Sequence, residues 1–246
     1  MESTAAPGLG DRVVAVPAGA RPRIFRELFV LWLVVLLLIR LVVALQASLG
    51  WPDLVLAAVP LLFIYAPVLL CRWRGADSWA YRLSIPAFGD GSAWRAALGL
   101  NLRVLAVVVP LFLVGYHLYQ TQLFGLHARM RLPPEMATLV AYQLFFVAIP
   151  EEFFYRGYFQ TRLNEVFPRR FLIFGVPMGW GAVLATLFFA FGHSVVQLQW
   201  WHFATFFPGL AFAWMRERSG GVVAGALFHA ACNVGIVFLD TAYGVR

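Results

Sequence analysis

The chain has 246 residues, 61% of them hydrophobic and 13% charged, against about 45–50% and about 25% in soluble globular proteins. That surplus excludes a soluble domain, a disordered chain, a coiled coil and a collagen, and two cysteines, Cys71 and Cys232, make no disulfide framework. The net charge of +7 comes from arginine with no lysine, gathered at the edges of apolar runs, which suits membrane-protein loops and argues against a nucleic-acid partner.

Residues 1 to about 26 read as a flexible cytoplasmic tail ending in Arg21, Arg23 and Arg26. Asp11 and Arg12 stand where a signal peptide would be apolar, so the first helix is expected to stay attached. Leu28 to Leu45, interrupted by Arg40, is predicted as span one, and Leu54 to Leu70, bent at Pro60 and Pro67, as span two. Residues 71–95 form a cytoplasmic loop with an interfacial segment at Trp79 to Ile85, and Ala96 to Tyr119 is span three. A connector with Arg129 and Arg131 leads to Met136 to Tyr155 as span four, followed by an amphipathic cytoplasmic segment from Gly157 to Arg170. Phe171 to about His193, Trp200 to Met215 and Val222 to Leu239 supply spans five, six and seven. The fold expected is an all-α, polytopic membrane helical bundle of about seven to eight transmembrane helices. The arginine bias places its N-terminus in the cytoplasm, and a bacterial inner membrane is the expected setting.

An ionisable group in the bilayer interior costs about 2.5–3.5 kcal/mol on insertion scales, so such groups belong inside the bundle. In Glu151-Glu152-Phe153-Phe154-Tyr155-Arg156, Glu152 and Arg156 are four apart and pair along one face. Glu151, rotated by about 100° from Glu152, stays available, and Pro150 bends the helix where the carboxylates enter. His193 ends a row through Gly181, Ala185 and Phe189, and His229 with Asn233 ends a row through Gly221 and Gly225. Small residues on those rows let helices approach closely beside polar groups. Each feature alone has a bland explanation: an interhelical hydrogen bond worth about 0.6 kcal/mol, or a solvated helix end for the carboxylates. His117, His127 and His202 read as interfacial.

Glu-Glu-x-x-x-Arg at 151–156, Phe-x-x-x-His at 189–193 and His-x-x-x-Asn at 229–233, in that order on successive apolar helices, resemble the CPBP family. These are the CAAX-processing and bacteriocin-processing intramembrane glutamic proteases. The resemblance covers roughly residues 136–240. It implies that Glu151, assisted by His193, activates a water, that His229 and Asn233 donate to the oxyanion, and that Glu152 and Arg156 brace the helix. It implies no cofactor and no metal. The stretch from Pro150 to Tyr158 also looks like the myxosortase branch, which processes C-terminally anchored surface proteins. The expected activity is therefore hydrolysis of a peptide bond near the C-terminus of a membrane-anchored or lipidated protein, with residues 27–135 as N-terminal helices and loop, and 136–246 as the catalytic core.

Other readings stay open. A zinc-dependent membrane protease lacks any H-E-x-x-H here and would need ligands from separate helices. Cys232 as a nucleophile fits less well than Cys232 as a small buried residue. A transporter or bacteriocin-immunity scaffold would use the same polar groups to hold helices or relay protons. Straight spans also leave a tension, because Glu151 falls toward the cytoplasmic half of one helix and His193 toward the far end of the next.

Overall fold

A computed structural model describes residues 18–50, 52–76, 90–129, 131–169 and 171–245; the expected interfacial segment at Trp79 to Ile85 lies outside them. Helix α1, Arg21–Leu49, begins with Pro22 in its first turn and ends at Gly50 with φ 61°, a left-handed closure that glycine adopts without cost. It starts inside the segment expected to be tail. Its buried residues Ile24, Leu28, Val35 and Ile39 recur at helical spacing, while Leu37 and Leu41 stay more than half exposed. One stripe faces protein and the rest suits lipid. Arg40, the charge inside this run, donates from Nη1 to the Val196 carbonyl at 2.9 Å.

Helix α2, Ala58–Trp73, follows a 3₁₀ turn at Asp53–Ala57 and carries Pro67 inside it. Helix α3, Gly91–Phe124, is capped by Asp90, whose side chain accepts from the Ser92 and Ala93 amides, two of the donors a helix start leaves unpaired. Helix α4 runs continuously over Met136–Val166. Two π-helical windings, Gln143–Ala148 and Phe153–Phe159, flank a short α segment at Ile149–Glu152. Pro150 in that segment supplies no amide hydrogen, which disrupts the ordinary i to i−4 ladder there, and π windings commonly mark functional sites.

The segment from Gly157 to Arg170 was expected to be a separate cytoplasmic amphipathic piece; instead it continues α4 as far as Val166. Its face is protein-bound because Tyr158, Phe159, Gln160 and Leu163 are buried, and Arg162 is buried beside carboxylates. The next apolar run begins as a hairpin of β1, Phe171–Ile173, and β2, Val176–Met178, paired antiparallel. Its turn residues Phe174 and Gly175 have φ 48° and 74°, the left-handed pair of a tight hairpin turn. Helix α5 therefore starts at Trp180 and runs to Gln197, nine residues later than the expected start of span five.

That delay resolves the depth problem. From Val166 back to Glu151, and from Trp180 on to His193, the helices rise by about 22 and about 20 Å at 1.5 Å per residue. The two side chains thus reach comparable depth from the same end of the bundle.

A 3₁₀ segment, Trp200–Thr205, precedes helix α6, Phe206–Ser219, and helix α7, Val223–Tyr243, completes the fold. Six helical stretches among the described residues are long and apolar enough to cross a membrane. Helix α6, at 14 residues, covers about 21 Å and is shorter than the hydrocarbon layer of about 30 Å, so the expected sixth span at Trp200 to Met215 is a partial one. The architecture is the helical membrane bundle read from sequence, with one short hairpin added. Its core is aromatic, with Phe154, Tyr155, Phe159, Phe189, Phe212 and Phe228 each at most 1–2% exposed.

Candidate active site

Helices α4, α5 and α7 converge on two adjacent carboxylates. Glu152 is fully buried and holds Arg156 at 3.5 Å between Oε2 and Nε, the pairing expected from their spacing of four. Its other oxygen, Oε1, lies 3.2 Å from Nδ1 of His229. Close packing of α7 makes that contact possible: a Cβ placed on Gly225 would stand 3.1 Å from Glu152 Oε2. The glycine row on α7 therefore does what small residues in membrane helices do, which is to bring a backbone against a neighbour.

Glu151 points elsewhere, as its helical phase requires. Its Oε2 lies 3.7 Å from Nε2 of His193 and 3.9 Å from Nε2 of His229, and no hydrogen-bond donor reaches that oxygen. Both histidines are oriented by their other nitrogen. His193 Nδ1 is 3.0 Å from the Phe189 carbonyl, and His229 Nδ1 faces Glu152, so in each ring the Nδ1 hydrogen donates and Nε2 of the neutral ring is left as an acceptor. Two acceptor nitrogens thus face the acceptor oxygen of Glu151 at 3.7 and 3.9 Å. Separations above 3.5 Å are of the kind that a water bridges.

Aromatic rings fix these groups in place. Phe212 stacks on His229 with centroids 4.7 Å apart and planes 15° apart, and Phe189 lies 4.4 Å from the His193 ring. The Arg156 guanidinium sits 4.4 Å above Phe189 and 5.3 Å from Phe212, and its Nη2 donates to the Gly209 carbonyl at 3.0 Å. Cation–π contact of this desolvated kind is worth about 2 kcal/mol. The brace that the sequence assigned to Glu152 and Arg156 is thus a cage that also includes Phe189, Phe212 and the backbone of α6.

Asn233 stands one helical turn beyond His229, and its Nδ2 donates to Gln143 Oε1 at 2.9 Å. Gln143 escaped the sequence reading, although a lone amide in the apolar run of span four is a visible signal. Phe212 also escaped it, since one more phenylalanine in a phenylalanine-rich chain carries no mark. The residues brought together are Glu151, Glu152, Arg156, His193 and His229, with Asn233 and Gln143 adjoining. The histidines expected at interfaces stay apart: His117 shares a hydrogen bond with the Tyr243 hydroxyl at 2.6 Å, and His202 pairs with Gln199.

Two further carboxylates anchor α4 at its arginine-rich end, and neither was anticipated. Glu27 on α1 takes Arg74 Nη1 at 2.6 Å and the Tyr158 hydroxyl at 3.0 Å, with Arg162 at 3.8 Å. Glu217 on α6 accepts from Gln160, Asn164, Arg169 and Arg216 at 2.7–2.9 Å. Burial pushes the Glu217 carboxyl up, and Arg216 and Arg169 more than offset it, holding the group below its ordinary 4.5. Among the described residues no cluster of three or more His, Cys, Asp or Glu side chains is arranged to hold a metal ion.

Comparison with known proteins fits this geometry. Residues 133–235 match the family described as type II CAAX prenyl endopeptidase Rce1-like. No curated protein and no solved structure matches the chain. The matched stretch carries Glu151, Glu152, Arg156, His193, His229 and Asn233, and the bundle around it offers membrane-spanning helices. Residues 133–235, with every one of the candidate site residues on them, are thus similar to the family of Rce1-like type II CAAX prenyl endopeptidases.

Proposed function

We propose that the protein is a glutamic-type intramembrane endopeptidase that hydrolyses a peptide bond near the C-terminus of a membrane-anchored or lipidated protein. The observation that carries this reading is Glu151 Oε2, which has no donor and faces Nε2 of His193 at 3.7 Å and of His229 at 3.9 Å. Three acceptors at these distances suit a water, whose two hydrogens they share. Glu151 takes one proton as the water oxygen attacks the scissile carbonyl carbon, and His193 holds the other and fixes the angle of attack. The electron pair of the carbonyl moves onto its oxygen. Asn233 keeps one amide hydrogen on Gln143 and has a second for that oxyanion. His229 Nε2 accepts from the same water, since its Nδ1 hydrogen is held by Glu152. The tetrahedral centre then collapses, the C–N bond breaks, and the proton passes to the leaving amine, giving a new carboxylate and a new N-terminus.

Glu152 and Arg156 act as positioning residues, because Glu152 is engaged by Arg156 and His229, and Arg156 by Glu152, the Gly209 carbonyl and two aromatic rings. The family's description favours a prenylated C-terminal segment as substrate, and a C-terminal sorting signal of the kind myxosortases process is the alternative to test beside it. The arginine-rich end faces the cytoplasm in this reading, with the site within the bilayer of a bacterial inner membrane.

The test is cleavage of prenylated and C-terminally anchored reporter proteins in membranes by the parent and by Glu151→Gln, each with and without a zinc chelator. Cleavage by the parent alone, unaffected by chelation, is expected, and the reporter that is cut identifies the substrate class. Inactivation by chelation with recovery on added zinc replaces this mechanism with a metal-dependent one. Equal cleavage by both proteins removes Glu151 from the chemistry.

A further inference from the structure

Arginines crowd the end of the bundle where α1 begins and α4 ends, and four of them are paired with carboxylates there. Arg74 and Arg162 meet Glu27, Arg162 also meets Glu165, and Arg169 and Arg216 meet Glu217. Arg21 and Arg26 are different. Both are exposed, and neither has an ion-pair or hydrogen-bond partner among the described residues. They border a groove of about 570 Å³ between α1 and the end of α4. Its walls are Phe25 and Phe29, 40% and 44% exposed, with Val166 and Phe167 opposite. No carboxylate lines it, and the nearest acid on α1, Glu27, is turned inward to Arg74 and Tyr158.

We propose that this groove binds one anionic phospholipid, its headgroup phosphate held between Arg21 and Arg26 and an acyl chain laid along Phe25, Phe29 and Phe167. Two arginines with no carboxylate to neutralise them present a phosphate with several donors in fork geometry. The amide groups of the first turn of α1, which contains no acidic residue, add a favourable field for an anion. The phenylalanine walls run from the arginines toward the bilayer interior, so one molecule with a charged head and an apolar tail satisfies both halves. Basic pockets between membrane helices bind acidic lipid headgroups in this way. A soluble phosphate would use only the arginines, and a neutral lipid only the walls. The site is independent of the hydrolytic mechanism.

Native mass spectrometry of the full chain, released from mixed micelles with equal amounts of phosphatidylglycerol and phosphatidylcholine of the same chains, tests it. The parent is expected to retain phosphatidylglycerol in preference by about tenfold. Arg21→Gln with Arg26→Gln should bring the ratio near one, while Arg72→Gln with Arg95→Gln, which removes the same charge from exposed positions elsewhere, should leave it unchanged. Glycerol phosphate at millimolar concentration should not displace the lipid. Equal retention of both lipids by the parent, an unchanged ratio in the Arg21/Arg26 variant, or full displacement by glycerol phosphate each overturns the proposal. A photo-crosslinking residue in place of Phe29 gives a second measurement that leaves both arginines intact. Labelling by acyl-tagged phosphatidylglycerol, competed by that lipid and not by phosphatidylcholine, is the supporting result, and its absence counts against the groove.

Discussion

Glu217 accepts from Gln160, Asn164 and Arg216 on one oxygen and from Arg169 on the other; Glu151, on a neighbouring helix and also largely buried, has an oxygen that no donor reaches. Satisfying every lone pair makes a carboxylate a structural anchor, because moving it breaks several charge-assisted bonds at once. Leaving one oxygen without a donor, with two oriented imidazoles opposite, sacrifices stability at that point and keeps a base open for chemistry. In the proposed mechanism, stability and reactivity are thus separated along α4: its arginine-rich end is pinned by Glu27 and Glu217, and its middle holds the group proposed to react.

The largest effects should fall on opposite sides of this division. Glu151→Gln is expected to lower peptide-bond cleavage by about 10²–10⁴-fold with a melting temperature in detergent close to the parent's. Measuring both on the same preparation decides the matter, since unfolding of that variant would make Glu151 an anchor too. Glu217→Gln should do the reverse. Removing one partner of a buried charge network costs about 3–5 kcal/mol, so this variant should melt far earlier, while the fraction that stays folded cleaves at the parent's rate.

Acid should weaken the anchor. Because Arg216 and Arg169 hold Glu217 below its ordinary 4.5 in spite of burial, the unfolded chain binds that proton more readily than the folded one. Its contribution is complete above the ordinary carboxylate range and is lost as pH falls through the lowered folded value. A melting series from neutral pH downward should therefore steepen in the acid range for the parent and flatten there for Glu217→Gln. A parallel slope in the two proteins would assign the acid sensitivity to other groups.

Smaller effects come from the glycines that set helix spacing. A Cβ on Gly181 would meet the Asn164 backbone nitrogen at 2.7 Å and its Oδ1 at 2.5 Å, so Gly181→Ala should cost about 1–3 kcal/mol and loosen Asn164 from Glu217. Gly235 on α7 has nothing within 4 Å of such a Cβ. Gly235→Ala should be neutral or gain up to about 1 kcal/mol from helix propensity. Thermal melts of the two variants side by side compare the crowded helix contact with the open one.

Much of the candidate site is legible in the sequence because its pairs are either local or marked by motif. Glu152 and Arg156 follow from a spacing of four, and Glu151, His193 and His229 stand out as ionisable groups in apolar runs. The anchors were hidden for the opposite reason: Glu27 finds Arg74 and Tyr158 47 and 131 residues away, and Glu217 finds every partner but Arg216 48–57 residues away, and at that range charge pairing has no sequence periodicity. The start of α5 was misplaced because Phe171 to Met178 is as apolar as the helix that follows. Gly175 and Pro177 hinted at the turn, but the residue before the glycine, Phe174, takes a left-handed conformation that phenylalanine seldom signals.

The π windings on either side of Pro150 make the phase of α4 a count of residues. Each such winding is equivalent to about one residue inserted into an ordinary helix, and one residue turns a helix by about 100°. Removing a single residue between Gln143 and Ala148 would let that stretch close as an α-helix. Everything before it would then be rotated by about a quarter turn relative to Glu151, carrying the Gln143 amide away from Asn233 while the carboxylates kept their own neighbours. The chain length of this short apolar stretch, more than the identity of its side chains, therefore sets whether the two halves of α4 agree about which way is inward.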